Sequence, residues 1–155
     1  MVSVLFVCLG NICRSPMAEA VFRQMVKENG LEEKIQVDSA GTGHWHVGET
    51  PHRGTQSILK KHNIDFTGIK ARQIKSHDFR KFQYIVVMDG SNFHNVKQWN
   101  EQDNVMIKRL LDYTNEYDEK DVPDPYYTGN FQEVYEMVQK GCQGLLEDIR
   151  MREKL

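Results

Sequence analysis

Val2-Ser3-Val4-Leu5-Phe6-Val7-Cys8-Leu9-Gly10-Asn11-Ile12-Cys13-Arg14-Ser15-Pro16 is the stretch from which the fold can be read. Its first seven residues form a nearly unbroken apolar, β-branched run, the pattern of a strand buried on both faces. Leu9 to Arg14 follow as a loop in which Gly10 and Asn11 tolerate left-handed backbone. Ser15-Pro16 then reads as a helix start, with Ser15 as N-cap and Pro16 at the first helical position. Ala18, Val21, Phe22, Met25 and Val26 recur at helical spacing up to Asn29-Gly30, which ends the helix.

Outward from this unit the pattern repeats. Ile35–Ser39, Tyr84–Met88 and Val105–Leu110 read as further strands, residues 53–62 as a helix, and Asp89-Gly90-Ser91 as the turn into a short helix. Phe131, Val134, Tyr135, Val138, Cys142, Leu145, Leu146 and Ile149 recur with the three-or-four-residue period of a helix. They form one apolar stripe along a helix of about five turns, which makes Cys142 a core residue. Strands alternating with helices imply an α/β domain with a mostly parallel sheet covered on both faces. Residues 1–155 hold no linker, repeat or low-complexity tract and are expected to form a single domain. Ligands of such sheets bind at the carboxyl ends of the strands, where the loop after the first strand lies.

That loop has the chemistry for an anion. Cys8 and Arg14 are separated by five residues between a buried strand and a helix N-terminus. A loop of this length can turn successive backbone N–H groups inward, and the helix start adds unpaired donors and its positive dipole end. The product is a bowl for one tetrahedral oxyanion, made by Leu9, Gly10, Asn11, Ile12, Cys13 and Arg14. The planar fork of Arg14 can hold two of the oxygens. Cysteine titrates near 8.5, and helix N-termini or nearby cations bring it to roughly 3.5–7.5, so Cys8 is expected as a thiolate nucleophile to which Ser15 can donate. The glycine-lysine-serine signature of an ATP-binding loop is absent.

Composition narrows the partners. Twenty basic residues stand against 22 acidic ones, so the chain has no overall field to hold nucleic acid or an anionic membrane, and any anion must be held locally. The apolar run at 4–9 is too short to span a bilayer and lacks the basic segment of a signal peptide. Three cysteines at uneven spacing suit free thiols in a reducing compartment, and a cytoplasmic protein is expected. Residues 112–124 carry six acids against Lys120, an acidic stretch ending at Asp124.

The motifs V-C-L-G-N-I-C-R-S-P-M-A-E-A at the start, D-S-A-G-T in the second strand, M-D-G-S-N after the third and V-P-D-P-Y-Y late in the chain resemble the low-molecular-weight protein-tyrosine phosphatase family over essentially the whole length. The resemblance implies an open four-stranded parallel sheet and a metal-free, cofactor-free site. The implied chemistry is hydrolysis of phosphotyrosine through a phospho-cysteine on Cys8. Asp124, which by itself reads as a plain Pro-Asp-Pro loop residue, becomes the implied general acid, then base on the attacking water. Unperturbed Asp titrates near 3.9, so activity is expected to fall as pH rises past mildly acidic values. Asn11, Ser39 and His62 match positions that brace the loop, although Ser39 alone is a strand-end polar residue and His62 a helix-terminal one. Glu19 is a weak candidate partner for His62. Cys13 is either a small buried loop residue or, by resemblance, a redox partner that traps oxidised Cys8 as a disulfide. Trp45, Tyr126 and Tyr127 match the aromatic walls of the substrate cleft. Ile12 stands where related protein-arginine phosphatases carry threonine and so favours phosphotyrosine.

Two relatives on the same fold are alternatives, a protein-arginine phosphatase and an arsenate reductase; thiol-coupled members of the latter need downstream cysteines, and residues 14–141 contain none. A silent phosphate-binding module would be expected to lack one of Cys8, Arg14 and Asp124. Expected partners are tyrosine-phosphorylated proteins or peptides, and inorganic phosphate or other oxyanions in the loop. The exposed Trp and Tyr residues allow a monomer or a weak homodimer.

Overall fold

The computed structural model describes residues 1–155. Strand β1 (Val2–Cys8) is buried along its whole length and lies inside a four-stranded sheet of order β2-β1-β3-β4, with β2 at Ile35–Gly41, β3 at Tyr84–Val87 and β4 at Met106–Arg109. Every pairing is parallel: Val4 lies opposite Val37 on one side and Tyr84 on the other, and Tyr84 lies opposite Met106. The continuous apolar composition of β1 follows from its central place, because both of its faces are covered. Val4 and Phe6 join the larger core, with Phe22 from α1 (Arg14–Glu28) and Val138, Leu145 and Ile149 from α6 (Phe131–Glu153). Leu5 and Val7 point the other way, into a smaller core with Phe79 of α3 (Ser76–Lys81) and Val96 of α4 (Gly90–Trp99).

The expected boundaries hold with local differences. Helix α2 spans Arg53–Lys61 and is capped by His62, as read. Helix α6 extends to Glu153, past the last apolar residue of its stripe, and Cys142 is fully buried in it. Two short helices without periodicity, α3 and α5 (Pro125–Thr128), were not legible, and a 3-10 turn at Leu110–Tyr113 follows β4. The start of α1 differs from expectation: Arg14 is its first residue, Cys13 precedes it, and Ser15 does not cap it. Pro16 sits inside the first turn, where a missing N–H costs nothing, and the Ser15 hydroxyl is used elsewhere.

The strand order reverses between β1 and β3. The chain leaves β1 toward β2 on one side and β3 toward β4 on the other, which opens a crevice at their carboxyl ends. The loop after β1 and Asp89, just after β3, meet there. All three cysteines are free and buried, and no helix is long and apolar enough to cross a membrane.

Candidate active site

The loop after β1 has its carbonyls turned outward. Thr42 N–H donates to Cys8 O and Gly43 N–H to Leu9 O, both at 2.9 Å. His52 N–H donates to Ile12 O at 2.7 Å, and the Thr55 hydroxyl to Cys13 O at 3.1 Å. The N–H groups from Leu9 to Ser15, in contrast, donate to no other group of the chain. Asn11 adopts left-handed backbone, with φ +56°, and allows the reversal that gathers these amides on one side. Gly41 at the end of β2 is a condition of this shape, since a Cβ there would stand 2.9 Å from Leu9 O and 3.2 Å from Asn11 N.

A directional chain of side chains supports the loop. Arg72 N–H donates to Asn11 Oδ1 at 2.9 Å, which fixes the orientation of that amide. Its Nδ2 donates to Ser15 Oγ at 2.7 Å and to Ser39 Oγ at 2.9 Å. Ser39 passes its own hydrogen to Glu19 Oε1 at 2.6 Å. Ser15 Oγ accepts from Asn11, and Cys8 Sγ, 3.0 Å away, is the one partner left within the chain for its hydrogen.

Glu19 is buried, and desolvation, only partly offset by Ser39 and Arg23, holds its carboxyl above the usual range. It pairs with Arg23 and not with His62. His62 also does not brace the loop: its ring stacks on Tyr135 with centroids 4.1 Å apart, and its buried Nε2 has no hydrogen-bond partner. Its place at the end of α2 sets it against α6. Ser39 and Asn11 are both in the network, whereas His62 lies outside it.

Arg14 is buried and anchored from beneath by groups distant in sequence. Its Nη1 donates to Asp89 Oδ2 at 2.7 Å and to Val122 O at 2.9 Å, and its Nη2 lies 3.4 Å from Asp124 Oδ2. Its Nε has no acceptor within the chain. Burial pulls the guanidinium pKa down, but negative charge on Cys8, Asp89 and Asp124 carries it above the ordinary arginine value. Asp89 was missed by the sequence reading; the one available signal was an Asp-Gly-Ser helix start directly after a buried strand. Cys13 lies beside the same charges. Burial, then the charges of Cys8 and Asp124, push its thiol up to about 12.

A cleft of about 230 Å³ opens over the loop. Cys8, Leu9, Gly10, Ile12, Cys13 and Arg14 line it from the loop, Trp45 and His46 from the segment after β2, and Asp124, Tyr126 and Tyr127 from the start of α5. Every residue assigned to the cleft thus borders one space, and His46 adds a member. Tyr127 is 77% exposed and Trp45 64%, so the aromatic side chains sit at the mouth. Asp124 is the N-cap of α5, its Oδ1 accepting from Tyr126 N–H at 3.0 Å.

The model of the low molecular weight phosphotyrosine protein phosphatase family matches residues 3–155. The chain belongs to that family. It is thus a member of a family of hydrolases that act on phosphotyrosine. It is 53% identical over 156 residues to the low molecular weight protein-tyrosine-phosphatase YfkJ of Bacillus subtilis, all of both chains being covered. The crystal structure of YfkJ superposes with a TM-score of 0.95 over 98% of this chain and 96% of that one, at 52% identity. A second relative, PtpA of Staphylococcus aureus strain MRSA252, is 51% identical over 149 residues, with 96% of this chain and 94% of that protein covered.

Proposed function

We propose that residues 1–155 act as one phosphatase unit that hydrolyses phosphotyrosine in proteins and peptides, and small aryl phosphates, through a phospho-cysteine on Cys8. The observation that carries this reading is the run of amides from Leu9 to Ser15 that donate to no other group of the chain, beside a sulfur 3.0 Å from the Ser15 hydroxyl. Cys8 Sγ attacks phosphorus and the bond to the tyrosine oxygen breaks. Protonated Asp124 gives its proton to that oxygen. The equatorial oxygens, where charge gathers, rest on the amides and on Arg14. Water then attacks phospho-Cys8, the S–P bond breaks, the water proton passes to the Asp124 carboxylate, and inorganic phosphate leaves. The Ser15 hydroxyl stabilises the departing thiolate.

The substrate ring is held by Trp45, Tyr126 and Tyr127, and Ile12 gives the cleft an apolar edge suited to a phenyl group. Cys13, protonated in the resting enzyme, serves as the thiol that captures Cys8 once oxidant has converted it to the sulfenic acid, with water released as the disulfide forms. Three buried free thiols suit work in the cytoplasm.

Phosphate release from phosphotyrosine, phosphoserine and phosphoarginine peptides, measured in chelator, tests the proposal. The parent should release phosphate from phosphotyrosine, and Cys8→Ser should lose at least about 10³-fold. Ile12→Thr should raise turnover of phosphoarginine relative to phosphotyrosine. Full activity without the thiol, or an absolute metal requirement, would overturn the mechanism, and unchanged selectivity in Ile12→Thr would remove that residue from the specificity account.

A further inference from the structure

The segment that brings Asp124 to the cleft has no helix or strand between the turn ending at Tyr113 and α5. Asp124 itself is loosely held. One carboxylate oxygen caps α5 at Tyr126 N–H, and the other touches Arg14 only at 3.4 Å. Its position therefore depends on how the preceding backbone is fastened.

Two fastenings exist, at consecutive residues. Val122 N–H donates to Met88 O at 2.8 Å, and Val122 O accepts from Arg14 Nη1. Asp121 makes the other with its side chain: Oδ1 accepts from Gly90 N–H at 2.9 Å and from Arg109 Nη1 at 3.3 Å. Gly90 is the first residue of α4, so this N–H has no partner within its own helix. A carboxylate there is favoured by the helix dipole. Arg109 ends β4. A single carboxylate thus ties the Asp124 segment to the carboxyl end of β4 and to the residue next to Asp89, the anchor of Arg14.

We infer that Asp121, braced by Arg109, is a positioning residue that sets where Asp124 stands over the phosphate bowl. It does not border the cleft and acts through the backbone of residues 121–124. The inference rests on the reading of Asp124 as proton donor. Reaching the departing tyrosine oxygen is a matter of fractions of an ångström, and misplacement of about 1 Å can cost up to 10²-fold.

Leaving groups of different acidity separate this role from a general structural one. A tyrosine oxygen must be protonated as it departs, since its phenol titrates near 10, whereas a dinitrophenolate leaves without help. The experiment compares kcat/KM, which reports the steps through aryl release, for phosphotyrosine and for 2,4-dinitrophenyl phosphate. It uses the full chain as parent, Asp121→Ala, Asp121→Asn, Arg109→Gln and Asp124→Asn. Because the readout is a ratio within each enzyme, the folded fraction cancels.

Asp124→Asn should lose about 10²-fold or more on phosphotyrosine and far less on the dinitrophenyl ester. Asp121→Ala should lose about tenfold on phosphotyrosine and no more than about twofold on the dinitrophenyl ester. Arg109→Gln should shift the ratio the same way by less. Asp121→Asn, which keeps an oxygen acceptor for Gly90, should recover most of the loss. An unchanged ratio in Asp121→Ala, beside a changed one in Asp124→Asn, would overturn the inference and leave the proton-donor reading standing. An unchanged ratio in Asp124→Asn would overturn both.

Discussion

At Cys8 the decisive physics is a matter of hydrogen-bond direction. Ionised Glu19 can only accept from Ser39, Asn11 has two hydrogens to give, and the series ends at the Ser15 hydroxyl facing sulfur. The carboxylate at the far end of this series is buried, and its raised pKa has a consequence for stability. A carboxyl whose folded pKa lies above its unfolded value of about 4.3 stabilises the fold while protonated. That stabilisation is complete below the unfolded pKa and is lost as pH rises through the folded pKa. Glu19→Gln keeps an oxygen for Ser39 but does not titrate. The melting temperature of the parent minus that of Glu19→Gln should therefore decrease between pH 4 and pH 8. A difference that stays constant, or grows, would show that Glu19 is not held above its ordinary range.

Among the elements, α6 illustrates how a helix can be obvious and its packing hidden. Gly141 and Gly144 look like weak points in its sequence, each costing roughly 1 kcal/mol in propensity against Ala. The structure supplies their reason: a Cβ on Gly144 would stand 1.9 Å from Tyr113 O, and one on Gly141 2.5 Å from Leu110 Cγ. The helix lies against the backbone of the 3-10 turn after β4. Gly144→Ala should thus destabilise the protein by about 1–3 kcal/mol despite the better helix former; a urea midpoint equal to or above that of the parent would contradict this packing. The same contrast runs through the fold as a whole. Strand β1 and the stripe of α6 were legible because burial on both faces or on one face writes a periodic pattern. Helices α3 and α5 were not, because four to six residues carry no period. Ser15 satisfies the capping rule by its sequence position, but its hydroxyl is claimed by Cys8 and Asn11. For His62 a match by position does not specify what the ring faces, and here it faces Tyr135. Asp89 escaped notice since it meets Arg14 across 75 positions of sequence, a distance that only the strand order closes.

For the whole molecule, the site is a product of topology. Cys8 and the unpaired amides come from the first strand and the start of α1, the anchor of the guanidinium from the end of β3, and Asp124 from a segment more than a hundred residues later. The crevice where the sheet reverses order is the one location at which these parts converge, and Asp121 with Arg109 stitches the last of them in place. Rapid acid quenching of the enzyme during turnover of an aryl phosphate, followed by peptide mass analysis, reads the outcome of this convergence directly. A phosphoryl group should be found on the peptide containing Cys8, bound to sulfur, and it should be absent from Cys8→Ser. A phosphoryl group on any other residue, or continued turnover with no phosphoryl-enzyme in Cys8→Ser, would contradict the account.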